Sequence, residues 1–368
     1  MNKKLLAVAL ASVFAAPAMA DGVTIYGAFD VGVLSRFSAT SANNAAGADG
    51  SYHTVASGMN GHNGIGFKMS EDLGNGLTIS GDALFGFALD AAGTNNAGLN
   101  PAGTGGFNTI YSYLALSGDF GTIIGGRAGG ARAGFIKQYD PFGGFGVGGA
   151  LQTANSPLGN ADYADNVLAW ITPEILPGLK GLAAYTSNLV GQDQVSRSAA
   201  APGTQLYAVA ALYNEGPVSV TAAYENLTLD NLGTDHRNVW TGAGSYDFGV
   251  AKVMALYHNI EGNNRGWQAG LTAPVSSAAT LKLAYSTSTV YGAGDRKCSK
   301  IAGGINYDLS KRTRVYADVA HLIDDDANSA CAGGLNTYGG SYANSGAGRD
   351  NSVGFGRTGA NVGIRHSF

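Results

Sequence analysis

The sequence predicts an all-β fold, a closed transmembrane barrel of 16 antiparallel strands, and three observations carry that prediction. Charged residues are only 13% of the 368, yet 18 Tyr and 14 Phe are present. Short segments alternate apolar and polar residues at the strand period. Tight turns and long polar links alternate between those segments.

Composition comes first. A soluble globular chain carries about 25% charged residues, and the 57 Gly are about twice the usual share. Disorder would explain few charges, but disordered chains are poor in aromatics. The remaining reading is a surface that meets something other than water. No segment after the N-terminal one is a continuous apolar run long enough for a spanning helix. Lipid then admits strands only as a closed barrel in which every backbone group is paired.

At the N-terminus, Lys3 and Lys4 precede an uncharged run over 5–16, then Pro17-Ala18-Met19-Ala20 and Asp21. This is the pattern of a cleaved signal peptide over residues 1–20. As a membrane anchor the run falls well short of the ~20 residues that a helix needs. The mature domain is then 21–368, and removing Lys3 and Lys4 leaves 20 basic against 26 acidic residues, a net charge of −6. That balance gives no basic face for nucleic acid.

The first strand reads from Val23-Thr24-Ile25-Tyr26-Gly27 through Asp30 to Val33: odd positions are apolar or Gly, while Thr24, Tyr26 and Asp30 share the other face. A soluble sandwich has the same period, so the links must decide. The tight ones are Asp72-Leu73-Gly74-Asn75-Gly76, Ser117-Gly118-Asp119-Phe120-Gly121, 172–178, Asn214-Glu215-Gly216-Pro217, Tyr246-Asp247-Phe248-Gly249, 273–278 and Asp308-Leu309-Ser310-Lys311. Longer Gly-, Asn- and Ser-rich links centre near Asn43, Asn95, Gly144, Gln192, Asn231, Asn263, Gly294 and Gly334. Short links on one side and long links on the other are the outer-membrane barrel pattern. Aromatics near strand ends, among them Phe67, Trp170, Tyr207, Tyr213, Tyr246, Tyr257, Trp267, Tyr285, Tyr307 and Tyr316, should supply several members of the interfacial girdles.

Several stretches together resemble the Gram-negative porin family of β-proteobacteria and Neisseria. They are Val23-Thr24-Ile25-Tyr26-Gly27 with Asp30, Gly66-Phe67-Lys68-Met69-Ser70-Glu71-Asp72-Leu73-Gly74-Asn75-Gly76-Leu77, Leu116-Ser117-Gly118-Asp119-Phe120-Gly121-Thr122 with Gly126-Arg127, and Val362-Gly363-Ile364-Arg365-His366-Ser367-Phe368. The resemblance covers the whole mature chain. It implies a water-filled channel for passive diffusion of small hydrophilic solutes and ions, assembled as a homotrimer among outer-membrane lipid and lipopolysaccharide. It also implies a third external loop, here 128–162, folded into the lumen, and a terminal strand with Ile364, His366 and Phe368 on one face, read by the barrel-assembly machinery.

A pore selects among ions by the charges at its narrowest point. The candidates are Arg127, Arg132, Lys137, Lys68 and Asp140, with Asp30, Arg36 and Asp82 as weaker lumen candidates. Relatives often carry Arg where Gly64, Thr109 or Ile110, and Ala169 stand here, so the basic ladder looks depleted. The mature charge leans toward weak or cationic selectivity. The two cysteines, Cys298 and Cys331, fall in the seventh and eighth external links and are expected to be bonded, as an even pair outside the cytoplasm commonly is.

No cofactor is implied, and the six histidines show no metal-ligand spacing. Asp324-Asp325-Asp326 reads as solvated carboxylates, and no nucleophile, base and orienting group converge on a reaction. Two rival readings are a substrate-specific channel on the same barrel and a surface adhesin or structural barrel that acts through its loops, the eighth (322–349) above all.

Overall fold

The computed structural model describes residues 22–39, 50–90, 108–129, 138–150, 163–187, 205–228, 236–262, 264–291, 295–323 and 358–368. Residues 1–20, Arg132, Lys137, Asp324-Asp325-Asp326 and Cys331 lie outside them. The elements in chain order are β1 Gly22–Ala39, β2 Gly50–Ser57, β3 Gly64–Gly74, β4 Leu77–Gly86, β5 Asn108–Gly118, β6 Gly121–Gly129, β7 Tyr163–Ile171, β8 Leu179–Thr186 and β9 Gln205–Glu215. They continue as β10 Val218–Thr228, β11 His236–Asp247, β12 Lys252–Ile260, β13 Asn264–Pro274, β14 Ala279–Val290, β15 Arg296–Asp308, β16 Thr313–Ile323 and β17 Thr358–Ser367.

Every strand pairs antiparallel with its neighbours in one sheet, and β17 returns to β1 from Ala28↔Ser367 to Phe37↔Thr358. Gly27 and Phe368 complete the seam by exchanging backbone hydrogen bonds of 3.1 and 3.0 Å. The sheet thus closes on itself, which is what lipid requires of a spanning sheet.

The wall has 16 staves although 17 strands are distinct, because β2 and β3 are two halves of one stave. The upper part of β1 pairs with β2 from Val31↔Ser57, and its lower part pairs with β3 from Gly22↔Ser70 to Ala28↔Gly64. Residues 58–63 leave the wall between them. A count of 16 strands predicts a single strand between the link near Asn43 and the turn at Asp72-Leu73-Gly74-Asn75-Gly76. Gly58 and Gly61 adopt φ of 73° and 152°, which residues with a Cβ rarely adopt, and they let the chain turn out of the sheet and back.

All seven tight turns fall where the sequence put them, between β3 and β4, β5 and β6, β7 and β8, β9 and β10, β11 and β12, β13 and β14, and β15 and β16. One link on the other side differs. The chain passes from Ile260 to Asn264 through only three residues, so the link expected to be long near Asn263 is short. Its Glu-Gly-Asn composition suits a tight reversal as well as a long loop.

Alternation sets the two faces. Ile25, Leu168, Val209, Trp240, Leu283, Ile301 and Val362 point outward and are exposed, whereas their neighbours in each strand point in. Outward aromatics form two bands: Trp170, Tyr213, Tyr246 and Tyr307 toward the tight turns, and Tyr207, Trp240, Tyr257, Trp267 and Tyr285 toward the opposite ends. Aromatic girdles at both interfaces are the mark of outer-membrane barrels. Tyr316 is an exception to the expected girdle, since it is buried on the inner face.

Candidate pore constriction

Between β6 and β7, residues 138–150 make their polar contacts with inward-facing wall side chains. Tyr139 reaches β10, where its hydroxyl lies 2.7 Å from Ser219 Oγ and 2.9 Å from Thr221 Oγ1. Asp140 organises the turn that follows. Its Oδ1 accepts from Phe142 N at 3.0 Å and from Gln268 Nε2 of β13 at 2.9 Å, and its Oδ2 accepts from Gly144 N at 2.7 Å and Ala150 N at 2.8 Å. Burial pushes the Asp140 carboxyl above the usual carboxylate range, against the pull of those four donors.

The far side of the segment rests on β14 to β17. Lys300 donates to the carbonyl oxygens of Val147, at 3.1 Å, and Gly149. Asn361 Oδ1 accepts from Val147 N at 2.8 Å, while its Nδ2 donates to Asp318 at 3.0 Å. Asp318 pairs with Lys282 at 2.7 Å, and the Lys282 ammonium sits 4.6 Å from the centre of the Phe142 ring. The backbone approaches the wall closely at Gly146, whose φ is 60° and where a Cβ would meet Asn361 Oδ1 at 2.7 Å.

The 58–63 excursion meets this segment from the other direction. Asp30 holds it: the carboxylate accepts from Asn60 N at 2.5 Å and from the Tyr316 hydroxyl, and the Asp30 carbonyl accepts from Gly58 N at 3.0 Å and Asn63 Nδ2 at 3.0 Å. Met59 is fully buried in one cluster with Phe142, Val147 and Tyr316. His62 stacks edge-on to Phe145 at 5.3 Å, and its carbonyl accepts from Arg365 Nη1 at 3.2 Å.

These elements enclose a cavity of about 740 Å³. Tyr26, Tyr111, Tyr113 and Tyr163 line it from one wall, Lys282, Arg314 and Arg365 from another, and Asp140, Pro141, Phe142, Gly143 and Phe145 from the segment 138–150. Two of the three cations are matched by carboxylates: Lys282 by Asp318, and Arg314 by Asp308 through contacts of 2.6 and 3.1 Å. Among the described residues no carboxylate lies within ion-pair distance of Arg365.

The candidates from sequence are distributed differently from this cavity. Asp140 lines it. Lys68 pairs with Asp82 at 3.7 Å and lies over the Tyr26 ring at 4.7 Å, while the Tyr26 hydroxyl donates to Asp82 at 2.5 Å. Arg127 pairs with Asp165 of β7 and donates to the Thr109 and Ile110 carbonyls at 3.2 and 3.0 Å, so its donors are turned to the wall. Arg36 is buried, and Asp30 holds backbone. Cys298, expected in the seventh external link, instead lies within β15, where it pairs with Ser288 of β14 and is fully buried, because the strand continues above the point where the link was placed. Ile364 and His366 of β17 and the terminal Phe368 share the outer face.

Arg365, Arg314, Lys282 and Lys300 were not singled out from sequence, although two carried a signal. With Ile364 and His366 facing out, alternation turns Arg365 inward. Lys282 likewise interrupts the apolar row of Leu281, Leu283 and Tyr285 at an inward position.

The comparisons with known proteins agree with this architecture. The family described as Gram-negative porin matches residues 7–328. Outer membrane porin protein 32 of Delftia acidovorans is 29% identical, with all of both chains covered. An outer membrane porin protein of Bordetella pertussis is 28% identical over 90% of this chain and 98% of its own. Among solved structures, the anion-selective porin from Comamonas acidovorans superposes with a TM-score of 0.75 at 26% identity, covering 95% of this chain and all of that one. With a closed barrel of 16 staves and a family match over most of its length, this chain is a member of the Gram-negative porin family.

Proposed function

We propose that this outer-membrane diffusion channel admits small hydrophilic solutes through a lumen narrowed by residues 138–150, and that it passes anions in preference to cations. The observation that carries the ion preference is Arg365, which lines the cavity with no carboxylate within ion-pair distance among the described residues, Asp30 acting on it only from farther away. The similar Comamonas porin is named anion-selective. The net charge of −6 leans the other way, but a pore selects by the charges at its narrowest point and not by its total.

The inner placement of 138–150 is supported by its bonds to Ser219, Gln268, Lys300 and Asn361, all on inward positions. Within this reading Asp140 fixes the shape of the constriction, and Arg132 and Lys137 add positive charge to the chain entering it. Lys68 and Arg127 contribute local fields already offset by Asp82 and Asp165. Ile364, His366 and Phe368 form the outward face offered to the assembly machinery. Assembly as a trimer is favoured by the trimer form of the Vibrio cholerae OmpT barrel, which shares the fold at a TM-score of 0.64. A Cys298–Cys331 bond ties β15 to the link that follows β16, in keeping with the lack of a free thiol at Cys298.

The test is the reversal potential of the mature protein in a planar bilayer under a KCl gradient. An anion-selective sign, reduced in Arg365→Gln, is expected. A cation-selective wild type would sink the ion preference, and conductance steps that never group in threes would count against the trimer.

A further inference from the structure

Five aromatic rings line the cavity in an unbroken row. Tyr113 lies 6.0 Å from Tyr111, Tyr111 lies 5.6 Å from Tyr163, Tyr163 lies 6.0 Å from His62, and His62 lies 5.3 Å from Phe145, measured between ring centres. The row crosses from β5 through β7 and the 58–63 excursion onto the inner segment. All five residues face the same space as Arg365, whose guanidinium is tied to the His62 carbonyl at 3.2 Å. A cation is therefore fixed at one station of an aromatic row.

We propose that this cavity is a binding subsite for small aromatic carboxylates, with the carboxylate on Arg365 and the ring packed along Tyr111, Tyr163 and His62. The subsite rests on the reading of the chain as an open channel and adds a solute class to it.

The physical reasons are separable. Guanidinium offers a fork of N–H donors matched to a carboxylate, and one bond to a carbonyl leaves others to give. Ring faces carry negative quadrupole charge, so the row does nothing for chloride but attracts another ring in offset or edge-on contact. The volume of about 740 Å³ is of the size that binds small molecules. A saturated acid of equal charge and similar bulk gains the Arg365 contact and loses the ring contacts. A sugar acid gains the same charge contact and must give up water from its hydroxyl groups to meet the rings.

The experiment is single-channel recording of the mature protein in KCl with benzoate, cyclohexanecarboxylate or glucuronate added. Benzoate is expected to block saturably at a half-blocking concentration about tenfold below the other two, since ring pairing is worth roughly 0.5–1.5 kcal/mol per contact. Tyr163→Leu should abolish the benzoate preference, and Arg365→Gln should weaken block by benzoate and cyclohexanecarboxylate alike. A β-sheet circular dichroism spectrum checks that each variant is folded. Equal block by all three acids, or a preference that survives Tyr163→Leu, overturns the subsite while KCl steps keep the channel reading in place. No steps at all from folded protein removes the channel reading and the subsite with it.

Discussion

The Lys300 ammonium donates to the Val147 carbonyl at 3.1 Å, joining a wall strand to a segment 153 positions earlier in the chain. It also donates to the Gly149 carbonyl, so one buried cation holds the two carbonyls that end the inner segment. Hydrogen bonds to a charged group are worth about 1.5–3 kcal/mol each. Lys300→Met should free this end of the segment, raising open-channel current noise and mean conductance. Recordings as quiet as the wild type's would show that the segment is held elsewhere.

Asp140 predicts a second effect at the opposite end. Its two oxygens accept four N–H groups, and an amide would turn an NH₂ toward at least one of those donors. Each orphaned buried donor costs about 1–3 kcal/mol. Asp140→Asn should therefore enlarge the permeable solute size in liposome swelling assays, whereas Asp140→Glu, which keeps the charge but misplaces it, should fall between. Swelling rates unchanged for large sugars in Asp140→Asn would refute the anchoring role.

The buried Lys282–Asp318 pair makes a third prediction. Both side chains are almost fully excluded from solvent, at 2% and 1% exposure. Removing one partner of such a pair typically costs about 3–5 kcal/mol, because the other charge is stranded. Lys282→Met should lower the thermal transition of the detergent-folded barrel. Lys282→Met with Asp318→Asn should recover most of it, as the amide oxygen still accepts from Asn361. Equal losses in the single and double variants would argue against stranded charge as the cause.

Phe368 gives a fourth. Its backbone bonds with Gly27 do not depend on its side chain, but its ring lies 5.5 Å from Phe29 on the outer face. Phe368→Ala should cut the heat-modifiable, folded fraction in outer membranes sharply while lowering refolding yield in detergent only slightly. A loss of the same size in both would assign the residue to stability alone.

Much of the wall could be read from the chain because strand alternation and turn chemistry are local. Asn75-Gly76 and Glu215-Gly216-Pro217 announce their turns within a few residues, and Leu283 announces its face through Lys282 and Ala284. The candidate constriction is different in kind. Gln268, Lys282, Lys300, Asp318 and Asn361 come from five strands, and nothing near any of them in sequence points to 138–150. Barrel closure alone brings them together. The 58–63 excursion did leave a trace, in Gly58, Gly61 and Gly64 spaced through a would-be strand, but glycine is so common in this chain that the trace does not stand out.

The seam between β1 and β17 also dictates an order of events. The hairpins joined by tight turns form from neighbours, whereas Gly27 and Phe368 meet only after nearly the whole chain has been delivered. Until then both terminal strands present unpaired N–H and C=O groups, the template on which β-chains aggregate. Pairing of such high contact order is intrinsically slow. The barrel therefore has no partly built form that is safe in water, and a chain arrested before Thr358 carries two bare edges with nothing of its own to close them.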